Sequence, residues 1–228
     1  MGSRLDALVL DVCGSDDHPL AVRLRAWLAG SRAFGPFVEA NLSKVRRKVR
    51  QASGMEELAD VAAELAVAAW LLRERRWTLE YEPLAATGGR GPDFRVAAPD
   101  GTGAFYVEVA RLRPAREGIG SPLPVRLARV LADKVGQLPA GAVNVLAVAL
   151  PAGEAGRDLL TGALHLLDEA AAGLQPGLDG RAFARGRFRL GAVLLAHLEG
   201  EPQTELAALP GARHPIPTEL ARRVRALP

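Results

Sequence analysis

The stretch GRGPDFRVAAPDGTGAFYVEVARL, residues 89–112, places one acid just after a Gly-rich loop and a second in the middle of an apolar run. Side chains alternate across a strand, so Tyr106, Glu108 and Ala110 share one face of Ala104 to Leu112, while Phe105, Val107, Val109 and Arg111 share the other. Both faces are mostly apolar. A carboxylate on either must be desolvated at a cost of several kcal/mol unless a cation or a metal ion stands beside it. Asp93 opens the preceding strand, Asp93 to Ala98, and Pro99-Asp100-Gly101 reads as the turn of a hairpin that lays the Asp93 end beside Glu108. Two converging carboxylates repel each other unless a hard divalent cation lies between them, and Mg²⁺ takes one or two protein carboxylates while keeping several waters. The alternative is a structural salt bridge from Arg95 or Arg111 to one of the acids.

On either side of this hairpin the hydrophobic period is helical. Leu24, Trp27, Leu28, Phe34, Phe37, Val38, Leu42, Val45 and Val49 predict two helices between Pro19 and Gln51, broken near Gly30 or Gly35-Pro36. Leu58, Val61, Ala62, Leu65, Ala69 and Leu72 predict another from Met55 to Arg75. Trp77 to Glu82 reads as a strand, Pro122 to Leu138 as a helix, Ala142 to Leu150 as a buried strand and Asp158 to Leu174 as a helix. A Gly- and Arg-rich loop is expected over Gln175 to Gly186, then a last strand from Phe188 to His197 and a terminal helix from Pro217 to Leu227. An antiparallel meander followed by a helical crossover implies an α/β fold, a mixed central sheet flanked by helices. The expected organisation is an N-terminal helical extension over 1–54 and an α/β core with a C-terminal elaboration over 55–228.

The chain has 228 residues, 49% of them hydrophobic and 24% charged, values that exclude a disordered or collagen-like chain and suffice for one sizeable core. A net charge of +3 is compatible with a polyanionic partner. The densest basic run, Lys44, Arg46, Arg47, Lys48 and Arg50, is either a solvated helix face or a surface for a nucleic-acid backbone. Cys13 stands alone, which leaves no internal disulfide. His18, His165, His197 and His214 lack zinc-ligand spacing, and the loop Thr87 to Pro92 lacks the Gly-Lys-Ser/Thr ending of a phosphate-binding loop. No uncharged apolar run of membrane-spanning length and no signal-peptide pattern is present, and Asp6 stands where a myristoylation motif wants Ser or Thr. A cytoplasmic protein with no membrane partner is expected.

Glu64 on a helix, Pro92-Asp93 entering a strand, Glu108-Val109-Ala110 in the next strand, then an amphipathic helix and an apolar strand, resembles the PD-(D/E)XK nuclease superfamily over roughly residues 57 to 150. The resemblance implies a restriction-endonuclease-like fold and a metal-dependent phosphodiesterase. In it Asp93 and Glu108 would hold Mg²⁺ or Mn²⁺, the Val109 carbonyl would add a ligand, and Glu64 would orient a water. The lysine that the resemblance expects two residues after Glu108 is Ala110. A member without it is either inactive or supplies the cation from elsewhere.

Successive helix residues are 100° apart, which puts Lys134 on the same stripe as Leu127, Leu131 and Leu138, with Arg126 and Arg129 pointing away. A lysine there snorkels, pairs with an acid or sits desolvated. Some branches of the superfamily carry their lysine on this helix, so the resemblance implies a catalytic role for Lys134 and a site-proximal one for Gln137. Arg95 is a further candidate cation. Glu64 also belongs to an acidic stripe with Glu57 and Asp60, usually a solvated face. The expected function is hydrolysis of phosphodiester bonds in DNA or RNA by Glu64, Asp93, Glu108 and Lys134, with a homodimer left open. The alternatives are a catalytically inactive nuclease fold that binds nucleic acid or protein, and a structural protein whose acids are salt-bridged.

Overall fold

A computed structural model describes residues 4–85, 91–98, 103–113, 121–151 and 157–228. Four short helices come first: α1 (Arg4–Cys13), α2 (Ala21–Gly30), α3 (Phe34–Ala40) and α4 (Leu42–Gln51), followed by the long α5 (Met55–Leu71). Then come strands β1 (Thr78–Tyr81), β2 (Phe94–Ala97) and β3 (Ala104–Arg111), helix α6 (Leu123–Val135), strand β4 (Asn144–Ala149) and helix α7 (Arg157–Ala171). The chain finishes with α8 (Gly180–Gly186), β5 (Ala192–His197), β6 (Gln203–Ala208) and α9 (Thr218–Arg225). The six strands form one mixed sheet in chain order, β1-β2-β3-β4-β5-β6. The first three run antiparallel, β3, β4 and β5 run parallel, and β6 returns antiparallel to β5. The expected α/β sandwich with a meander and a helical crossover is therefore present.

Two apolar cores lie on the two sides of this sheet. One gathers Phe34, Leu65, Trp70, Phe94, Phe105 and Val107, the other Leu127, Leu131, Leu146, Leu167, Phe183 and Leu195. The first shares its residues between α1 to α5 and the strands, so the helices of residues 1–54 form one layer of the sandwich with α5. The alternation expected along β3 holds: Phe105, Val107 and Val109 enter the first core and Ala110 the second. Asn144 is fully buried at the start of β4, where its side-chain amide donates to the Pro139, Ala142 and Arg189 carbonyls and ties the segment before β5 to it.

Three expectations change, and one helix precedes those that the periodicity predicted. Residues Arg4 to Cys13 form a helix with Leu8, Val9 and Val12 buried, and the region expected as two helices holds three, because Asn41 separates α3 from α4 and caps α3 by donating to the Phe37 carbonyl. Pro36 is tolerated in the first turn of α3, where its missing N–H has no partner to lose. The expected Gln175 to Gly186 loop contains α8: the Asp179 side chain accepts from the Ala182 N–H as an N-cap, and Phe183 buries against α6 and α7. Strand β6 was not expected, since Gln203, Glu205 and Ala208 are exposed and only Leu206 is buried, which leaves almost no apolar signal at an edge strand. The expected turn at Pro99-Asp100-Gly101 lies outside the described residues, as does most of the Thr87 to Pro92 loop.

Gly180 lets α8 approach α7: a Cβ there would fall inside van der Waals contact of the Ala171 nitrogen and the Leu167 carbonyl. Gly180→Ala is expected to cost about 1–3 kcal/mol, typical of overpacking against backbone, read as a lower urea midpoint with an unchanged slope.

Candidate metal and phosphate site

Strand β2 begins at Phe94, which pairs with Val107, so β3 runs on to Arg111 with no described strand beside its last residues on that flank. Tyr106 and Leu112 donate their N–H groups to Val143 and Ala149 on the β4 side, which turns the backbone groups of Val109 toward the flank where β2 has ended. Extending the register puts Pro92 opposite Val109, and proline has no N–H to give the Val109 carbonyl. The Val109 N–H is taken by the Asp93 carboxylate, whose Oδ2 accepts it at 2.8 Å. The early end of β2 thus opens the sheet beside both acids.

Side chains from both faces reach this opening. From α6, the Lys134 Nζ donates to Glu108 Oε1 at 2.5 Å, and Glu108 is only 6% exposed. From α5 on the opposite face comes Glu64, whose Oε2 accepts from Tyr81 Oη at 2.8 Å and from Lys48 Nζ at 2.6 Å. Lys48 also pairs with Glu82 Oε1 at 3.2 Å and lies 5.0 Å above the Tyr81 ring. A cleft of about 320 Å³ is lined by Asp60, Glu64, Asp93, Ala110, Arg113 and Lys134 among others. Of the residues lining this cleft, Lys134 is the one bonded to Glu108.

The charges strain against burial. Burial raises the Asp93 pKa well above the usual carboxylate range, and Glu64 and Glu108 push it further up, against the Val109 N–H and Lys48. Glu108 is also raised, first by burial and then by Glu64, with Lys134 opposing. Burial works against the charge on Lys48, but Glu64, Asp93 and Glu82 outweigh it and hold its pKa up. Tyr81 is raised by burial, Glu64 and Glu82, which keeps it a neutral donor. Asp93 has no ion-pair partner within 4.0 Å among the described residues, and its Oδ1, like Glu108 Oε2 and Glu64 Oε1, accepts no hydrogen bond among them.

This donor set suits a hard divalent cation. Two crowded carboxylates with raised pKa and unpaired oxygens, beside a backbone carbonyl without a ladder donor, are hard oxygen ligands short of positive charge. No three of the described His, Cys, Asp and Glu side chains are grouped so as to hold a metal ion among themselves.

Glu64, Asp93, Glu108 and Lys134 are brought to one place. Arg95 is not: it faces Glu80 across the β1–β2 pair at 3.8 Å. Arg111 pairs with Glu56 and Asp60, so neither arginine salt-bridges Asp93 or Glu108. Arg126 and Arg129 turn to the Arg113 carbonyl and Ser121, and Gln137 donates to the Asp133 carbonyl. Glu57 accepts from the Ser53 N–H at the start of α5, and Asp60 lines the cleft while bound to Arg111 and Arg113, so of that stripe Glu64 is the acid that stands with Lys48 and Tyr81. The basic run divides. Arg47 and Arg50 are exposed and Arg46 is half-buried, whereas Lys48 enters the site and Lys44 donates to the Tyr81 carbonyl at 2.8 Å.

Tyr81 and Glu82 were missed as site residues, and Lys48 was expected in the basic run that would meet a nucleic-acid backbone, not beside the acids. Lys48 was legible in principle, because it shares a face of α4 with buried Val45, the same kind of signal that marks Lys134 on α6. Comparison with family models, curated proteins and solved structures found no match. No described helix is long and apolar enough to cross a membrane.

The raised carboxyl pKa values carry a sign. Between the ordinary carboxylate range near 4 and the raised folded values, the folded chain binds more protons than the unfolded one, so this contribution to stability falls as pH rises through that window. Asp93→Asn, which keeps an acceptor for the Val109 N–H, is expected to stabilise the metal-free protein at pH 7.5, with the gain lost as pH falls below the ordinary carboxylate range. Thermal melts across pH check this; a destabilised variant at pH 7.5 contradicts it.

Proposed function

We propose that this chain is a divalent-metal-dependent phosphodiesterase acting on DNA or RNA, a divergent member of the PD-(D/E)XK nuclease superfamily with a restriction-endonuclease-like core. The observation that carries the reading is the Lys134–Glu108 contact of 2.5 Å, which supplies from α6 the cation that Ala110 does not provide on β3. The strand order β1-β2-β3-β4, with two antiparallel pairs and one parallel pair, supports it as well.

In this reading Asp93, Glu108 and the Val109 carbonyl would hold Mg²⁺ or Mn²⁺. When bound, the ion supplies Lewis-acid stabilisation of charge on the phosphate and a lowered pKa for a nearby water. Lys134 has three donors, one of them spent on Glu108, and another reaches toward a phosphate oxygen as negative charge builds there. Glu64 Oε1 is the acceptor left to orient the attacking water, since Oε2 is engaged by Lys48 and Tyr81. Water adds to phosphorus, the bond to one ester oxygen breaks, and that oxygen leaves carrying the proton that water loses. Arg113 on the cleft wall, and Arg47 and Arg50 on α4, are placed to meet neighbouring phosphates, an attraction that weakens as salt rises.

Calorimetric titration with Mn²⁺ and cleavage assays on single- and double-stranded DNA and RNA test this. The intact chain is expected to bind Mn²⁺ and to cut at least one substrate. Asp93→Ala is expected to abolish metal binding, and Lys134→Ala to lose at least about 100-fold in cleavage with Mn²⁺ binding retained. Full activity in Lys134→Ala refutes its role. Metal binding with no cleavage on any substrate instead favours the inactive, nucleic-acid- or protein-binding fold.

A further inference from the structure

We propose that Lys48 stands where a second metal ion would sit, so that the centre takes a single divalent cation through Asp93 and Glu108 and leaves Glu64 outside its coordination. The inference rests on the metal-dependent reading above and adds the stoichiometry of the site. Lys48 Nζ bridges two carboxylates from different elements, Glu64 Oε2 at 2.6 Å and Glu82 Oε1 at 3.2 Å, a position that hard oxygen ligands otherwise give to a divalent ion. The Glu64 oxygen it takes is also bonded by Tyr81 Oη at 2.8 Å, so that oxygen has no lone pair to spare for a metal.

The bridge is built into the backbone. Glu82 has φ +49°, the one positive φ at a non-glycine among the described residues, a conformation that costs about 1–2 kcal/mol in a side-chain-bearing residue. In it the Glu82 N–H donates to the Asp93 carbonyl at 2.7 Å, tying the turn to the residue that would hold the ion. Its carboxylate is thereby aimed at α4, where Lys44 and Arg47 lie 3.9 and 3.8 Å away and Lys48 nearer still. Buried Val45 and Val49 fix α4 so that Lys48 points inward and is only 22% exposed. Glu64, Glu82, Asp93 and Glu108 are the acids around this ammonium, and Lys134 faces the same group from the other side of the sheet.

Titration calorimetry with MnCl₂ on the full chain tests this, with circular dichroism as the check on folding. The wild type is expected to bind one ion, Lys48→Arg one, and Lys48→Met two. The double variant Lys48→Met/Glu64→Gln is expected to return to one, because the second ion needs the freed Glu64 carboxylate. Two ions per wild-type chain overturn the inference whether or not Lys48→Met folds. One ion in wild type and one in folded Lys48→Met also overturn it while leaving the metal-dependent reading intact. No binding by the wild type removes that reading itself.

Discussion

Ionised carboxylates beside an apolar sheet need positive charge, and β3 cannot supply it. The position two residues after Glu108 carries only the methyl of Ala110, packed in the second core. Three acids meet at the place where β2 ends, so cations must come from elements that cover the sheet. Lys134 arrives from α6 on one face and Lys48 from α4 on the other. Removing either partner from such a pair leaves a buried charge uncompensated, at a cost that exceeds what the pair itself contributes. The two lysines therefore clamp the helical layers to one sheet opening, and they make the N-terminal helices part of the centre.

The opening depends on a backbone detail as much as on charge. Pro92 falls where the β2–β3 ladder would need a donor, and Asp93 then turns its carboxylate, in place of a backbone carbonyl, to the Val109 N–H. A strand that ran two residues further with an N–H at position 92 would pair the Val109 carbonyl and close the flank. One carbonyl at each outer edge of the sheet is also capped by a basic side chain. Lys44 caps the Tyr81 carbonyl at the end of β1, and Arg225 of α9 donates to the Leu206 carbonyl of β6. These contacts occupy edge groups that would otherwise template pairing with another chain.

The elements most legible in the sequence were those with strong apolar periodicity, such as α5, α6, β3 and β4, each found within a few residues of its expected span. Helix α5 stops at Leu71, short of Arg75, because the following residues turn into β1 through the bond from the Trp77 N–H to the Glu74 carbonyl. What failed was weakly apolar or locally capped: α8 is specified by one Asp179 cap and one buried Phe183, and β6 by little more than Leu206. In the site, Asp93, Glu108, Glu64 and Lys134 were legible because each is a charge placed against an apolar pattern. Tyr81 and Glu82 were not, since a tyrosine at a strand end and a glutamate in a left-handed turn have no periodic signature. The division of the basic run also needed tertiary structure, because Lys48 turns inward only when β1 and α5 are packed beside α4.

The arrangement is poorly explained by stability alone. A structural salt bridge sets one acid against one base and leaves the pair near neutral. Glu108 has such a partner in Lys134, but Asp93 has only a backbone N–H, with two further carboxylates near enough to oppose its ionisation. Nothing in the packing of Phe94 or Val109 requires a charge at that position, since the N–H bond could be made by a neutral acceptor. The fold also bears the left-handed backbone of Glu82 to hold Lys48 beside Glu64. Proteins keep such local costs chiefly where a ligand or a reaction relieves them. A cation between Asp93 and Glu108 would relieve the largest of them, because it favours the ionised form of both acids at once.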